Sequence, residues 1–213
     1  MFVLGGLVCA TWLSAQDYQK TAYGIKAAAG GVDVEVQFFT PSVVRVVKSP
    51  QGEHFEKKSL AVVASPGEVG VKVGIKDGAI VMDTKVLQVN LDTSTGAFSY
   101  RTADGKFLLA EKPVEKPFVP FDDAGDATYN VYQAFKLDAD EAIYGLGQLQ
   151  NGKMSQRGVR KNMIQGNVED VSPFFQSTKG YGLYWDNYSP TLFTDNEEET
   201  SFRSDVGDCM DYY

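Results

Sequence analysis

Short β-branched runs, each cut off by Gly, Pro or Asp, recur along almost the whole chain and leave few architectures open to it. Val32, Val34 and Val36 alternate with Asp33 and Glu35, the period of two that turns one side of a strand to a core and the other to water. Val43–Val47 follows Pro41, and Leu60–Ala64, Val71–Ile75 and Ile80–Met82 are runs of the same type. Val86–Leu91 leads through Asp92–Gly96 into Ala97–Arg101, and Asp104-Gly105 predicts a hairpin into Phe107–Ala110. Pro113, Pro117 and Pro120 predict a connector over Glu111–Gly125. Strands resume at Tyr129–Leu137, the chain turns at Asp138–Glu141, and Ala142–Leu146, Tyr181–Trp185, Leu192–Thr194, Ser201–Arg203 and Met210–Tyr213 read as further strands. No amphipathic stretch reaches three helical turns. Strands spaced by roughly 8–12 residues, with no helices to cover a parallel sheet, predict an all-β sandwich.

A chain of 213 residues with 43% hydrophobic positions can fill one large sandwich. Its net charge of -8 excludes a phosphate-binding surface of clustered Lys and Arg, so no nucleic-acid partner is expected. Residues 1–15 are apolar and uncharged but too short to span a bilayer. They read as a secretory signal peptide cut after Ala15, although the basic residues that usually open such a peptide are missing; a buried first strand is the alternative. This division gives a signal peptide over 1–15 and one domain over 16–213, secreted, periplasmic or at the cell surface. After cleavage Cys209 stands alone, which rules out an intramolecular disulfide. His54 is the single histidine, so neither a triad nor a zinc site is expected, and no cofactor or metal is implied. Asp205, Asp208 and Asp211 could offer oxygens to calcium but lack an ordered calcium loop.

The stretch from Ile143 to Asn187 is richer than a generic sandwich requires. Amides (Gln148, Gln150, Asn151, Gln165, Asn167) are interleaved there with Phe174, Phe175, Tyr181, Tyr184 and Trp185. Amides hydrogen-bond sugar hydroxyls in both directions, and flat rings cover the C–H face of a pyranose. A bland reading stands beside each. Gly145 and Gly147 fit a bulge or close backbone approach, Asn167 fits a turn cap, and alternating Tyr181, Leu183 and Trp185 fit sandwich core. Lys153, Arg157, Arg160 and Lys161 read as a solvated face, and the many carboxylates, the 205–211 aspartates included, as surface or turn residues.

Tyr144-Gly-Leu-Gly-Gln148, Met163-Ile-Gln-Gly-Asn167, Pro173-Phe-Phe175 and Gly180-Tyr-Gly-Leu-Tyr-Trp-Asp-Asn187 together resemble the N-terminal β-sandwich of glycoside hydrolase family 31, the α-glucosidase and α-xylosidase family. The likeness extends from about Tyr23 onward and is nearest to the α-xylosidase-like branch. It implies a galactose-mutarotase-like β-sandwich followed by a (β/α)8 barrel that carries the catalytic aspartates of a retaining mechanism. Trp185-Asp186-Asn187 does not match the family's Trp-x-Asp-Met nucleophile motif, so no catalytic residue is expected in this chain. The resemblance also implies that a loop of the sandwich walls the first sugar subsite of the barrel. Asn167 falls where many members carry aspartate; Gln165, and then Gln148 and Gln150, are the other candidates for substrate contact. On this reading the chain is the front piece of a secreted α-glycosidase. Its partners are its own barrel and, through that barrel, an α-linked oligosaccharide. A free-standing carbohydrate-binding module and a subunit that completes a barrel in trans are the rivals.

Overall fold

A computed structural model describes residues 18–53 and 57–213, all of them strands and connections. The expected signal peptide and His54 lie outside the described residues. The first strands, β1 (Tyr18–Lys20), β2 (Gly24–Ala29), β3 (Val32–Thr40) and β4 (Val43–Pro50), form an antiparallel meander. Next come β5 (Lys72–Lys76), β6 (Ala79–Asp83), β7 (Leu87–Asp92), β8 (Phe98–Thr102), β9 (Phe107–Lys112), β10 (Phe118–Asp123) and β11 (Asp126–Lys136). The remainder are β12 (Ile143–Gln148), β13 (Arg160–Met163), β14 (Asp170–Ser177), β15 (Gly182–Tyr184), β16 (Thr191–Asp195), β17 (Thr200–Gly207) and β18 (Met210–Tyr212).

One layer is a ten-stranded sheet ordered β13-β16-β17-β11-β9-β8-β7-β6-β5, with β10 paired to β11. The other layer is made of two sheets, β1-β2-β3-β4-β18 and β12-β14-β15. Backbone bonds join these two: Tyr184 and Tyr213 exchange N–H to O bonds of 3.0 and 2.8 Å, Asp186 N–H donates to Asp211 O at 2.8 Å, and Trp185 bridges Tyr212. Strand β18 is therefore the seam of its layer. Between the layers, Trp185 stacks on Phe202 at 5.4 Å, and Phe175, Phe193 and Phe202 complete an aromatic block at one end. Ile25, Val36, Phe38 and Val46 meet Ile80, Met82, Leu91 and Phe98 at the other.

Two expectations change, and some strands were not foreseen. Leu60–Ala64 forms no strand, because no neighbour offers it a ladder. Ser59 Oγ accepts the N–H groups of Ala61 and Val62, and Leu60 N–H donates to the Tyr188 hydroxyl. Glu111–Gly125 is not a pure connector. Strand β9 runs on through Lys112, and β10 forms as an edge strand, where Pro120 is tolerated. Asp170–Ser177, among the strands not foreseen, contains Pro173. Gly145 faces Phe175 and Gly147 faces Val171, so Ser172, Pro173 and Phe174 lie opposite Leu146 alone. The proline thus sits in a bulge.

A polar pillar crosses the core. Lys48 of β4 contacts Glu111 of β9 at 2.6 Å and donates to Gly96 O at 2.9 Å. Glu111 also accepts Phe98 N–H at 2.8 Å and the Tyr212 hydroxyl at 2.8 Å, and Tyr212 meets the Tyr100 hydroxyl at 2.6 Å. On the outer side of β18, Arg45 grips Asp211 with two bonds of 2.9 and 2.7 Å, and Lys57 lies 3.2 Å from the same carboxylate.

Removing one member of a buried pair strands the other charge, so Lys48→Met should cost about 3–5 kcal/mol in urea unfolding. Burial, and then the charge of Glu111, pushes Tyr100 and Tyr212 well above 10. Raised values favour the protonated fold, so this contribution is complete below pH 10 and lost as pH rises. Unfolding midpoints followed upward from pH 10 should show stability falling by roughly 1.4 kcal/mol per pH unit for each tyrosine.

Candidate functional site

Of the four residues expected to contact substrate, Gln150, Gln165 and Asn167 lie on two segments that cross the end of the sandwich, and Gln148 ends β12. Residues 149–159 pass from β12 in one layer to β13 in the other, and residues 164–169 return from β13 to β14. Their base is fixed at β12. Gly145, Leu146 and Gly147 have φ of 126°, 63° and 91°, three successive left-handed residues that reverse the pleat while Leu146 is wholly buried. A Cβ on Gly147 would lie 2.0 Å from Asp170 O, and one on Gly145 2.6 Å from Phe174 O. Both glycines are thus required by close backbone approach, as their sequence context predicts.

The first segment is anchored by polar side chains. Buried Gln156 donates to Lys153 O at 3.1 Å and accepts from Asn151 at 2.8 Å, while its own N–H donates to Ile143 O at 2.8 Å. Arg157 is no solvated cation. It contacts Asp195 at 3.0 Å and donates to the carbonyls of Asp138 at 2.8 Å and Glu141 at 2.5 Å. Lys153 and Arg160 are exposed, and Lys161 pairs with Glu169. Buried Glu141 accepts the Ser177 and Tyr181 hydroxyls; burial first and this bond second raise the Tyr181 pKa.

The structure brings Gln150, Gln165 and Asn167 together and gives them different tasks. Gln165 closes both ends of its amide on Val171, donating to O at 2.9 Å and accepting N–H at 3.0 Å. Gln150 donates to Val168 O at 3.2 Å, tying one crossing segment to the other. Between them Gly166 N–H donates to Glu169 O at 3.3 Å, and Asn167 occupies the tip of the resulting turn. Asn167 is exposed, and among the described residues its side chain makes no hydrogen bond; the same holds for Gln148. Ile164 and Val168, 56% and 63% exposed, flank the tip with apolar surface.

Tyr181, Leu183 and Trp185 divide as core alternation requires, with Leu183 and Trp185 buried and Tyr181 packed against the core. On the opposite face, Phe174 lies across from Tyr184, whose ring is 6.0 Å from Tyr213. Asp186 and Asp211 both contact Lys57, at 3.4 and 3.2 Å, and their side chains have no solvent exposure. Asp211 is therefore not a surface residue. Neutralised and shielded, this pair cannot serve as the two carboxylates of a glycosidase. Burial, and then the charge of Asp211, pushes the Cys209 thiol up to about 12, so it is no nucleophile at neutral pH. Gln156 and Glu141 escaped sequence reading, since buried partners far along the chain decide their roles.

The domain is an antiparallel two-layer β-sandwich with a bulged strand and two segments crossing its end. The model of the glycosyl hydrolase 31 N-terminal galactose mutarotase-like domain matches residues 33–193, and the chain belongs to that family. An α-xylosidase of Saccharolobus solfataricus is 29% identical over 194 residues, which cover 86% of this chain and 26% of the relative. The crystal structure of a GH31 α-xylosidase from Xanthomonas citri superposes with a TM-score of 0.77 at 31% identity, covering 84% of this chain and 20% of that one. A GH31 α-xylosidase from a soil metagenome gives a TM-score of 0.79 at 20% identity over 92% of this chain and 32% of that one, a likeness of fold. The chain spans about a quarter of the length of the Saccharolobus enzyme.

Gly147→Ala combines a left-handed backbone with a clash against main chain, and neither can relax cheaply. It should lower stability by about 3 kcal/mol or more in chemical denaturation.

Proposed function

We propose that this domain is the non-catalytic front part of a secreted α-glycosidase of xylosidase or glucosidase type, packing on a catalytic barrel and lending Asn167 to its sugar pocket. The observation that carries the reading is the tip itself. An amide with no internal partner among the described residues is held out by a turn whose flanks are fixed by Gln165 and Gln150. A polar group kept free on a braced loop suits a ligand better than it suits the fold. Apolar Ile164 and Val168 beside it suit burial against a neighbouring domain. Asn donates as well as accepts, so it can hold a sugar hydroxyl in either sense without charge.

The face bearing Phe174, Tyr184 and Tyr213 favours a second reading, a sugar-binding module that works alone. Titrating the isolated chain with xylo- and gluco-oligosaccharides separates the two. Saturable binding would support the module.

The isolated chain should not hydrolyse 4-nitrophenyl α-xyloside or α-glucoside. In the full-length enzyme that carries this domain, Asn167→Ala should lower kcat/KM about 5- to 30-fold, the loss of one or two neutral hydrogen bonds. Its melting temperature should hold, since no internal bond is broken. Unchanged kinetics would remove Asn167 from the pocket.

A further inference from the structure

Of the seven asparagines in the sequence, Asn151 alone precedes a glycine. Asn151 and Gly152 lie near the start of the first crossing segment, and both are exposed. The Asn151 amide is held at both ends. Its Oδ1 accepts Lys153 N–H at 3.0 Å, and its Nδ2 donates to Oε1 of buried Gln156 at 2.8 Å. The first bond closes a turn that folds the side chain back over the peptide joining Asn151 to Gly152. The N–H of that peptide makes no hydrogen bond among the described residues. Gly152 sits at φ 69°, and nothing lies within 4 Å of where its Cβ would stand. Neither a side chain nor a neighbour therefore hinders the approach of the Gly152 nitrogen to the side-chain carbonyl.

We propose that Asn151 is a site of self-modification, at which the Gly152 nitrogen attacks Cγ of Asn151 and the crossing segment loses one of its anchors. In the attack a bond forms between Gly152 N and Asn151 Cγ, and the amide proton passes to water or hydroxide. Negative charge gathers on Oδ1, where Lys153 N–H already points, a donor placed as in an oxyanion hole. Collapse of the tetrahedral intermediate breaks the Cγ–Nδ2 bond. The nitrogen takes a proton from water and leaves as ammonia, and a five-membered succinimide remains. Water then adds to one of its two carbonyls. Addition at Cγ gives aspartate, and addition at the main-chain carbonyl gives isoaspartate, in which the main chain runs through the side chain. The balance needs only water.

The product cannot replace what it removes. A carboxylate at this position has no N–H for Gln156 Oε1, and two acceptors then face each other. Turning the Gln156 amide over only moves the conflict, because its Nε2 donates to Lys153 O at 3.1 Å. Gln156 is buried, so an unpaired oxygen there is costly. The loosened segment contains Gln150, whose bond to Val168 ties the two crossings together. Ageing of Asn151 thus reaches the turn that presents Asn167. The inference rests on no sugar contact, so it and the proposed function can fail separately.

Purified chain stored in mildly alkaline buffer, folded or unfolded in urea, tests this when the tryptic peptide 137–153 is followed by mass spectrometry. Asn151 should convert at least about tenfold faster than any other asparagine of the folded chain, and at least as fast folded as unfolded. Isoaspartate should accumulate in that peptide, marked by a methyltransferase specific for it. Asn151→Asp makes one product directly. It should speed exchange of the Gln156 backbone amide about tenfold and lower the thermal midpoint by roughly 3 °C. An Asn151 that outlasts another asparagine, or that reacts more slowly folded than in urea, would overturn the proposal. Unchanged exchange at Gln156 in Asn151→Asp would overturn the loss of the anchor.

Discussion

Asp211 and Tyr212 are adjacent on β18 and face opposite ways, and most of the sandwich is arranged around that pair. Asp211 is clamped by Arg45 and Lys57 on the outer side, while the Tyr212 hydroxyl reaches inward to Glu111, which Lys48 neutralises. Buried ion pairs of this kind add little net stability over apolar packing, yet are costly to break. Their effect here is on register. Sliding β18 by one residue would drive the Asp211 carboxylate against Glu111 and turn Tyr212 out to solvent. Main-chain bonding alone would tolerate such a slip, and the charges do not. The two sheets that share this seam are thereby fixed relative to each other, and with them the relation of β4 to β15.

From that frame the loops at the sandwich end inherit their rigidity. The left-handed run at Gly145–Gly147 turns β12 while Leu146 stays in the core, and Arg157, Gln156 and Gln165 convert irregular backbone into hydrogen-bonded structure. Each of these groups satisfies main chain that has no strand beside it. What remains without an internal partner at the tip is small and polar, and its position is set by groups that lie in the fold proper.

The strands were largely legible because one face of each is buried and a period of two records that directly, as in Val32, Val34 and Val36. The glycine bulge was legible too, since few other roles require Gly-x-Gly inside a strand. Proline misled at Pro120, which sits on an edge strand, because sequence does not show which side of a strand lacks a partner. Leu60–Ala64 failed for the converse reason: apolar composition does not supply a neighbour. The site was legible in its residue types but not in their division of labour. Nothing local distinguishes Gln165, spent on Val171, from Asn167, or marks Arg157 as tied down and Asp211 as buried, because partners 38 and 166 positions away decide it.

The seam strand follows all its partners in chain order. Strand β4 is synthesised long before Met210–Tyr212 can reach it, and β12, β14 and β15 must wait for the same residues before they can join the first meander. Such pairing of distant segments makes for slow closure. During translation the edges of β4 and β15 stand open as templates for any passing strand. A ribosome-bound chain of this domain is thus most exposed to mispairing just before completion, when nearly all its apolar strands exist and the piece that seals them does not.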